Sequence, residues 1–167
     1  MDSPLRKARN GLKRGLEYTV MLVMALLVLD VLWGVISRFV IGEQARFTEE
    51  VATYLLIWVS LLGASVAFET GEHLGVDYFV GLLHPDARRL VGVLISLIVA
   101  FFAGAVMVYG GYILVSRTLA SNQLSPAMEI PVGYVYLAVP ISGLFILLFC
   151  AENIVEAVAG APDKADT

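Results

Sequence analysis

One carboxylic acid, Asp30, interrupts an apolar stretch running from residue 18 to residue 37. Inside so long an apolar run an acid costs about 2.5–3.5 kcal/mol on insertion scales, so it is expected to face protein or water. Two chemistries fit. Asp30 is either a proton or cation site, or a neutral or hydrogen-bonded carboxyl at a helix contact; the second is favoured because no other charge lies deep in an apolar run. A second cluster brackets a short loop, with Arg38 before it and Glu49 and Glu50 after it. A loop this short joins antiparallel neighbours, so Arg38 is expected to meet an acid across the hairpin. Thr48 is placed to cap the next helix, with Glu49 and Glu50 in its first turn, where the helix dipole favours anions. Paired carboxylates can catalyse, but nothing supplies these two with a nucleophile or a metal partner. A third group, Glu69, His73 and Asp77, falls at i, i+4 and i+8, on one face if the helix continues. It can hold a metal or form a polar cap at the membrane surface.

Other chemistry is excluded more firmly. The single cysteine, Cys150, allows no intrachain disulfide and no paired-cysteine metal site. Neither His73 nor His84 is mid-span, which argues against bis-histidine haem ligation. No glycine-rich phosphate loop, nucleophile elbow or zinc signature occurs. The chain is therefore not expected to be an enzyme, to hold a cofactor, or to bind nucleic acid.

The elements that must position these residues are four apolar runs, at 18–37, 51–68, 90–116 and 130–151. A run of about 18 or more apolar residues can cross a hydrocarbon core of roughly 30 Å as a helix. Lipid offers no backbone partners, so each run must satisfy its own, as a helix does. Hydrophobic residues make up 59 % of the chain and charged residues 16 %, far from the soluble norm. The reading is an all-α, polytopic membrane protein with four transmembrane helices. Residues 1–15 form a basic N-terminus, 16–156 the membrane domain (spans about 16–39, 49–70, 88–117 and 130–153), and 157–167 a disordered tail.

Charge sets the expected orientation. The termini and middle loop carry Arg6, Lys7, Arg9, Lys13, Arg14, Arg88, Arg89 and Lys164; the other two loops carry Arg38, Arg46 and Arg117. Eight against three places both termini in the cytoplasm. The basic cluster is accounted for by topology and anionic lipid, and the apolar run after it is too long for a cleaved signal. Tyr109, Tyr112, Tyr134 and Tyr136 then fall near the outer membrane interface.

Packing signals are also present. Gly92, Ser96, Ala100 and Gly104 repeat at strict i+4 spacing along a third span of about 40 Å. Such a ridge of small residues lets a second helix approach closely. Gly63 and Ala67 repeat the pattern on the second span. Pro140 should bend the fourth span, and Pro131 fits a first-turn position.

Several blocks together resemble the small permease subunit (DctQ type) of tripartite ATP-independent periplasmic (TRAP) transporters. They are Arg38-Phe39-Val40 with Phe47-Thr48-Glu49-Glu50; Trp58 with Leu62-Gly63-Ala64 and Ala67; His73 and Asp77 within Gly-Glu-His-Leu-Gly-Val-Asp; and Ser125-Pro126-Ala127 leading to Ile130-Pro131, Tyr136, Pro140 and Gly143. The family often has Trp where Phe47 and Tyr134 stand here. With four spans, the chain looks like the separate small subunit rather than a fused permease. The resemblance implies a large permease partner carrying the substrate and sodium sites, and a periplasmic binding protein that delivers an organic acid. Uptake would be driven by the sodium gradient across a bacterial inner membrane. The chain itself would enlarge the static scaffold.

Two other readings stand beside it. A stand-alone, proton-coupled multidrug transporter would use Asp30 in a central cavity. A membrane anchor of a redox complex would need haem ligands, which the spans lack. The substrate is not legible in the chain.

Overall fold

A computed structural model describes residues 4–40, 46–70 and 85–158, with side chains over 11–40, 47–69 and 91–155. His73, Asp77, His84 and the tail fall outside the described residues. Helix α1 spans Pro4–Val40 and α2 spans Arg46–Thr70. The third span is continuous but changes pitch: α3 (Pro85–Phe102), a π-helical segment (Ala103–Gly110) and α4 (Gly111–Ala120). The fourth is α5 (Gly133–Tyr136) followed by α6 (Ala138–Val158). All four spans are long and apolar enough to cross a membrane. Among the described residues no strand forms; Leu124 and Pro131 pair as an isolated bridge.

The α1–α2 pair follows from a heptad. Lys13, Leu16, Val20, Val23, Leu27, Asp30, Gly34 and Ser37 step alternately by 3 and 4. With Glu17 they are the residues between 11 and 40 that are not exposed. A period of 3.5 keeps one seam against a partner helix with a left-handed supercoil. Gly34 lies against Thr48, with 3.2 Å from an ideal Cβ to Thr48 Oγ1, and Lys13 pairs with Glu69. Both position sums are 82, so the helices run antiparallel in one register. Asp30 thus lies level with Ala52, and Val20 with Leu62.

The remaining registers follow from similar contacts. Ser65 reaches Ser142 and Glu50 reaches Ser125 and Ala127. Those offsets are 77, 75 and 77, so α2 runs parallel to the fourth span. Gly104, Met107 and Gly111 lie against Leu147, Gly143 and Pro140. Those positions sum to 250 or 251, so the third span runs antiparallel to the fourth. Among the described residues, at backbone distance α1 approaches only α2, and α3 approaches only α6 among the other spans. The four spans therefore stand in an open row, first–second–fourth–third, rather than a closed bundle. The buried cluster lies along the middle of that row, around Leu62, Phe68, Ala103, Ile146, Phe149 and Cys150.

The π-helical segment has a geometric role. Ser96, Ala103, Gly111, Val115 and Thr118 are buried, and Ala100 and Met107 half-buried. From 103 to 115 the steps are 4, 4 and 4. In an α-helix each would overshoot a turn by about 40°; the wider i→i+5 turn takes up the extra residue. The same arithmetic corrects the small-residue ridge. Ser96, Ala100 and Gly104 are on the packed side, whereas Gly92 is exposed and a Cβ there, or at Gly63, would meet nothing within 4 Å. Closer approaches are elsewhere. A Cβ at Gly111 would lie 2.9 Å from Pro140 Cδ, one at Gly143 2.7 Å from Met107 Cβ, and one at Gly133 2.6 Å from Leu119 Cγ.

Three local expectations change. Helix α2 begins at Arg46, so Thr48 is inside its first turn rather than its cap, and its side chain is buried against Gly34. Pro131 is two residues ahead of helix α5, in the bridge to Leu124. Pro140 does more than bend the span. It has no N–H for the Tyr136 carbonyl, and the helix divides at Leu137 between α5 and α6.

Candidate functional site

The polar side chains cluster at the two ends of the α2 seam. At one end, Glu50 is one turn into α2 and faces the loop between the third and fourth spans. Ser125, almost wholly buried, donates its hydroxyl hydrogen to Glu50 Oε2. The Ala127 N–H donates to Glu50 Oε1 over 3.1 Å. The loop is shaped to present both donors. Ser125 N–H bonds the Ile130 carbonyl at 2.9 Å, Glu129 N–H the Ser125 carbonyl at 3.0 Å, and Val132 N–H the Gln123 carbonyl at 3.0 Å. Asn122 and Glu129 take positive φ values of 48° and 54° to close it. The carboxylate thus fastens the start of α2 to the entry of the fourth span, which is what a parallel pair requires. Hydrogen bonds to a charged group contribute about 1.5–3 kcal/mol each when well formed.

At the other end Glu69, 6 % exposed, pairs with Lys13 of α1. Between the two ends Ser65 and Ser142 are fully buried. The Ser65 hydroxyl lies 3.1 Å from its own-helix Leu61 carbonyl and 3.2 Å from the Ser142 carbonyl across the α2–α6 contact. Small hydroxyl residues at such crossings let backbones approach and add interhelical bonds.

The structure does not bring Arg38 to the acids. Ser37 occupies the seam, and Arg38, about 100° further round the helix, is exposed. Among the described residues the ion pair is Lys13–Glu69, and none joins Arg38 to Glu49 or Glu50. Glu49 is exposed beside the clip. Trp58 packs half-buried against the central cluster. Asp30 sits on the edge of the α1–α2 seam, half-buried; among the described residues nothing donates to its buried Oδ2.

No group of three or more His, Cys, Asp or Glu side chains suited to a metal occurs among the described residues. A shallow groove of about 600 Å³ between α1 and α2 is lined by apolar residues, among them Val20, Met24, Val28 and Val59. The polar groups join helices to each other and do not converge on a ligand-sized space. Reading the sequence missed Lys13 as a partner for Glu69, and Ser125 as the partner of Glu50. The first was recoverable: Lys13 continues the heptad and Glu69 matches the register set by Gly34 and Thr48. The second depends on the fold of a loop and has no periodic signal.

Comparisons with known proteins find relatives over most of the chain. The family model described as the DctQ component of tripartite ATP-independent periplasmic transporters matches residues 15–160. A sialic acid TRAP transporter small permease protein of Vibrio cholerae is 25 % identical over 164 residues, covering 96 % of this chain and 91 % of that protein. An ectoine TRAP transporter small permease protein of Halomonas elongata is 30 % identical over 128 residues, 72 % of this chain and 64 % of that one. An isethionate TRAP transporter permease protein, DctMQ, of Oleidesulfovibrio alaskensis is 28 % identical over 101 residues; these cover 60 % of this chain but only 16 % of that longer protein.

Proposed function

The chain belongs to the DctQ family of TRAP transporter components, a membrane subunit and not an enzyme, and from that premise we propose that it is the fixed scaffold of a sodium-driven importer. Its partner is a large permease subunit that carries the substrate and sodium sites. A periplasmic binding protein delivers an organic acid to the pair. The assembly resides in the bacterial inner membrane with both termini of this chain in the cytoplasm, the side favoured by eight of eleven Lys and Arg residues. Residues 16–156 form the membrane domain.

The observation that supports a scaffold is the open row of spans. A substrate pathway needs polar groups converging on an enclosed space. Here the polar groups fasten neighbouring helices, and both faces of the row are apolar. The same geometry weighs against a stand-alone exporter, because Asp30 lies at the edge of the row and not in a central cavity. The test is co-expression with the large permease subunit of the same system, followed by purification in mild detergent through a tag on this chain. Stoichiometric recovery of the large subunit is expected. Recovery of this chain alone, with the large subunit folded in the same membranes, would overturn the proposal.

A further inference from the structure

We propose that a transmembrane helix of the large permease subunit, carrying a hydrogen-bond donor side chain, packs on the Asp30 edge of α1. This rests on the assembly proposed above and names where it occurs.

Among the described residues, helix α1 stands at one end of the row and approaches only α2 at backbone distance, so most of its described circumference is uncovered. Leu22, Leu26, Leu29 and Trp33 are each about half exposed or more. Apolar exposure alone is satisfied by lipid, and it selects no face. Asp30 selects one. It is deep in the span, Oδ2 is buried against the seam, and among the described residues nothing donates to it. Its other oxygen is not buried. A carboxyl in that position is costly in hydrocarbon and is normally met by protein. The α2 positions that face it at this level, Val51, Ala52 and Leu55, have no donor side chain, and the Thr53 hydroxyl donates to the Glu49 carbonyl of its own helix.

Helix geometry then separates the two sides of α1. At 100° per residue, Leu26, Trp33 and Ser37 share the flank of Asp30. Met21, Met24 and Val28, which line the groove toward Val59, point to the opposite flank. The groove offers no polar atom for a donor to meet, whereas the Asp30 edge offers one acceptor within an apolar strip. A membrane helix with Ser, Thr, Asn, Gln, Lys or Arg at the matching depth satisfies that acceptor and covers the strip. A second copy of this chain is a poorer fit, since its own Asp30 edge brings another acceptor.

The test uses the full chain co-expressed with the large permease subunit. A photo-crosslinking amino acid is placed singly at positions 26 and 33, and at 24 and 28 as the opposite flank. Adducts to the large subunit are expected from 26 and 33 and not from 24 and 28. Asp30→Leu should lower recovery of the large subunit by about threefold or more, while Asp30→Asn, which keeps an acceptor, should retain most of it. The yield of each variant expressed alone controls for folding. If the parent chain recovers the large subunit but adducts come only from 24 and 28, or only a doubled mass of this chain appears, the edge assignment is overturned. Full recovery with Asp30→Leu also overturns it. If the parent chain recovers no large subunit, the assembly reading fails first and this inference with it.

Discussion

Glu50 illustrates how a charge near the membrane interface can serve structure. Its two oxygens take donors from Ser125 and Ala127, so one carboxylate holds a loop to a helix. Glu50→Ala should lower the thermal midpoint of the purified chain by several degrees, corresponding to about 1.5–3 kcal/mol, and Ser125→Ala by less, since the Ala127 bond survives. Differential scanning of the chain in detergent measures both; equal midpoints for parent and Glu50→Ala would show the clip adds nothing. Lys13 and Glu69 make a second case. Removing the Lys13 ammonium from the buried Glu69 by Lys13→Met should destabilise more than Arg14→Met, whose side chain is exposed. Because the Lys13 side chain is 29 % exposed, screening by water reduces this toward ~1 kcal/mol. The expected pairing of Arg38 failed for a reason visible at this scale. Sequence proximity brings two charges to one hairpin, but the heptad phase decides which side chain points inward, and Ser37 has that phase.

Helices were the most legible level. Long apolar runs require backbone self-satisfaction, so all four spans are readable without any packing information. Their contacts were less so. The i+4 ridge named the right helix and part of the right face, Ser96, Ala100 and Gly104. It could not anticipate the π-helical segment, which re-phases the helix and brings Gly111 and Gly143 into close crossings. Gly111→Ala and Gly143→Ala should each destabilise by about 1–3 kcal/mol, because the added methyl meets Pro140 or Met107 inside normal contact distance. Gly92→Ala and Gly63→Ala should be neutral or slightly stabilising, as open space awaits the methyl. Thermal midpoints of the four variants check this, and a reversed order would refute the observed crossing.

For the whole molecule, the order first–second–fourth–third is the feature with functional consequence. Among the described residues a row of helices exposes two broad apolar faces, the geometry on which the proposed scaffold role rests. Orientation is testable separately. With Cys150→Ser as background, cysteines placed at positions 43 and 123 should react with an impermeant thiol reagent outside spheroplasts, and one at position 86 should not. Labelling at 86 alone would invert the topology. The most direct test of the scaffold role is sodium-driven uptake in proteoliposomes supplied with the binding protein and its ligand. The proteoliposomes hold this chain alone, the large permease subunit alone, or both. Uptake is predicted only when both subunits are present, with this chain alone at the level of empty vesicles. Sodium-dependent uptake by this chain alone, or full uptake by the large subunit without it, would contradict the account.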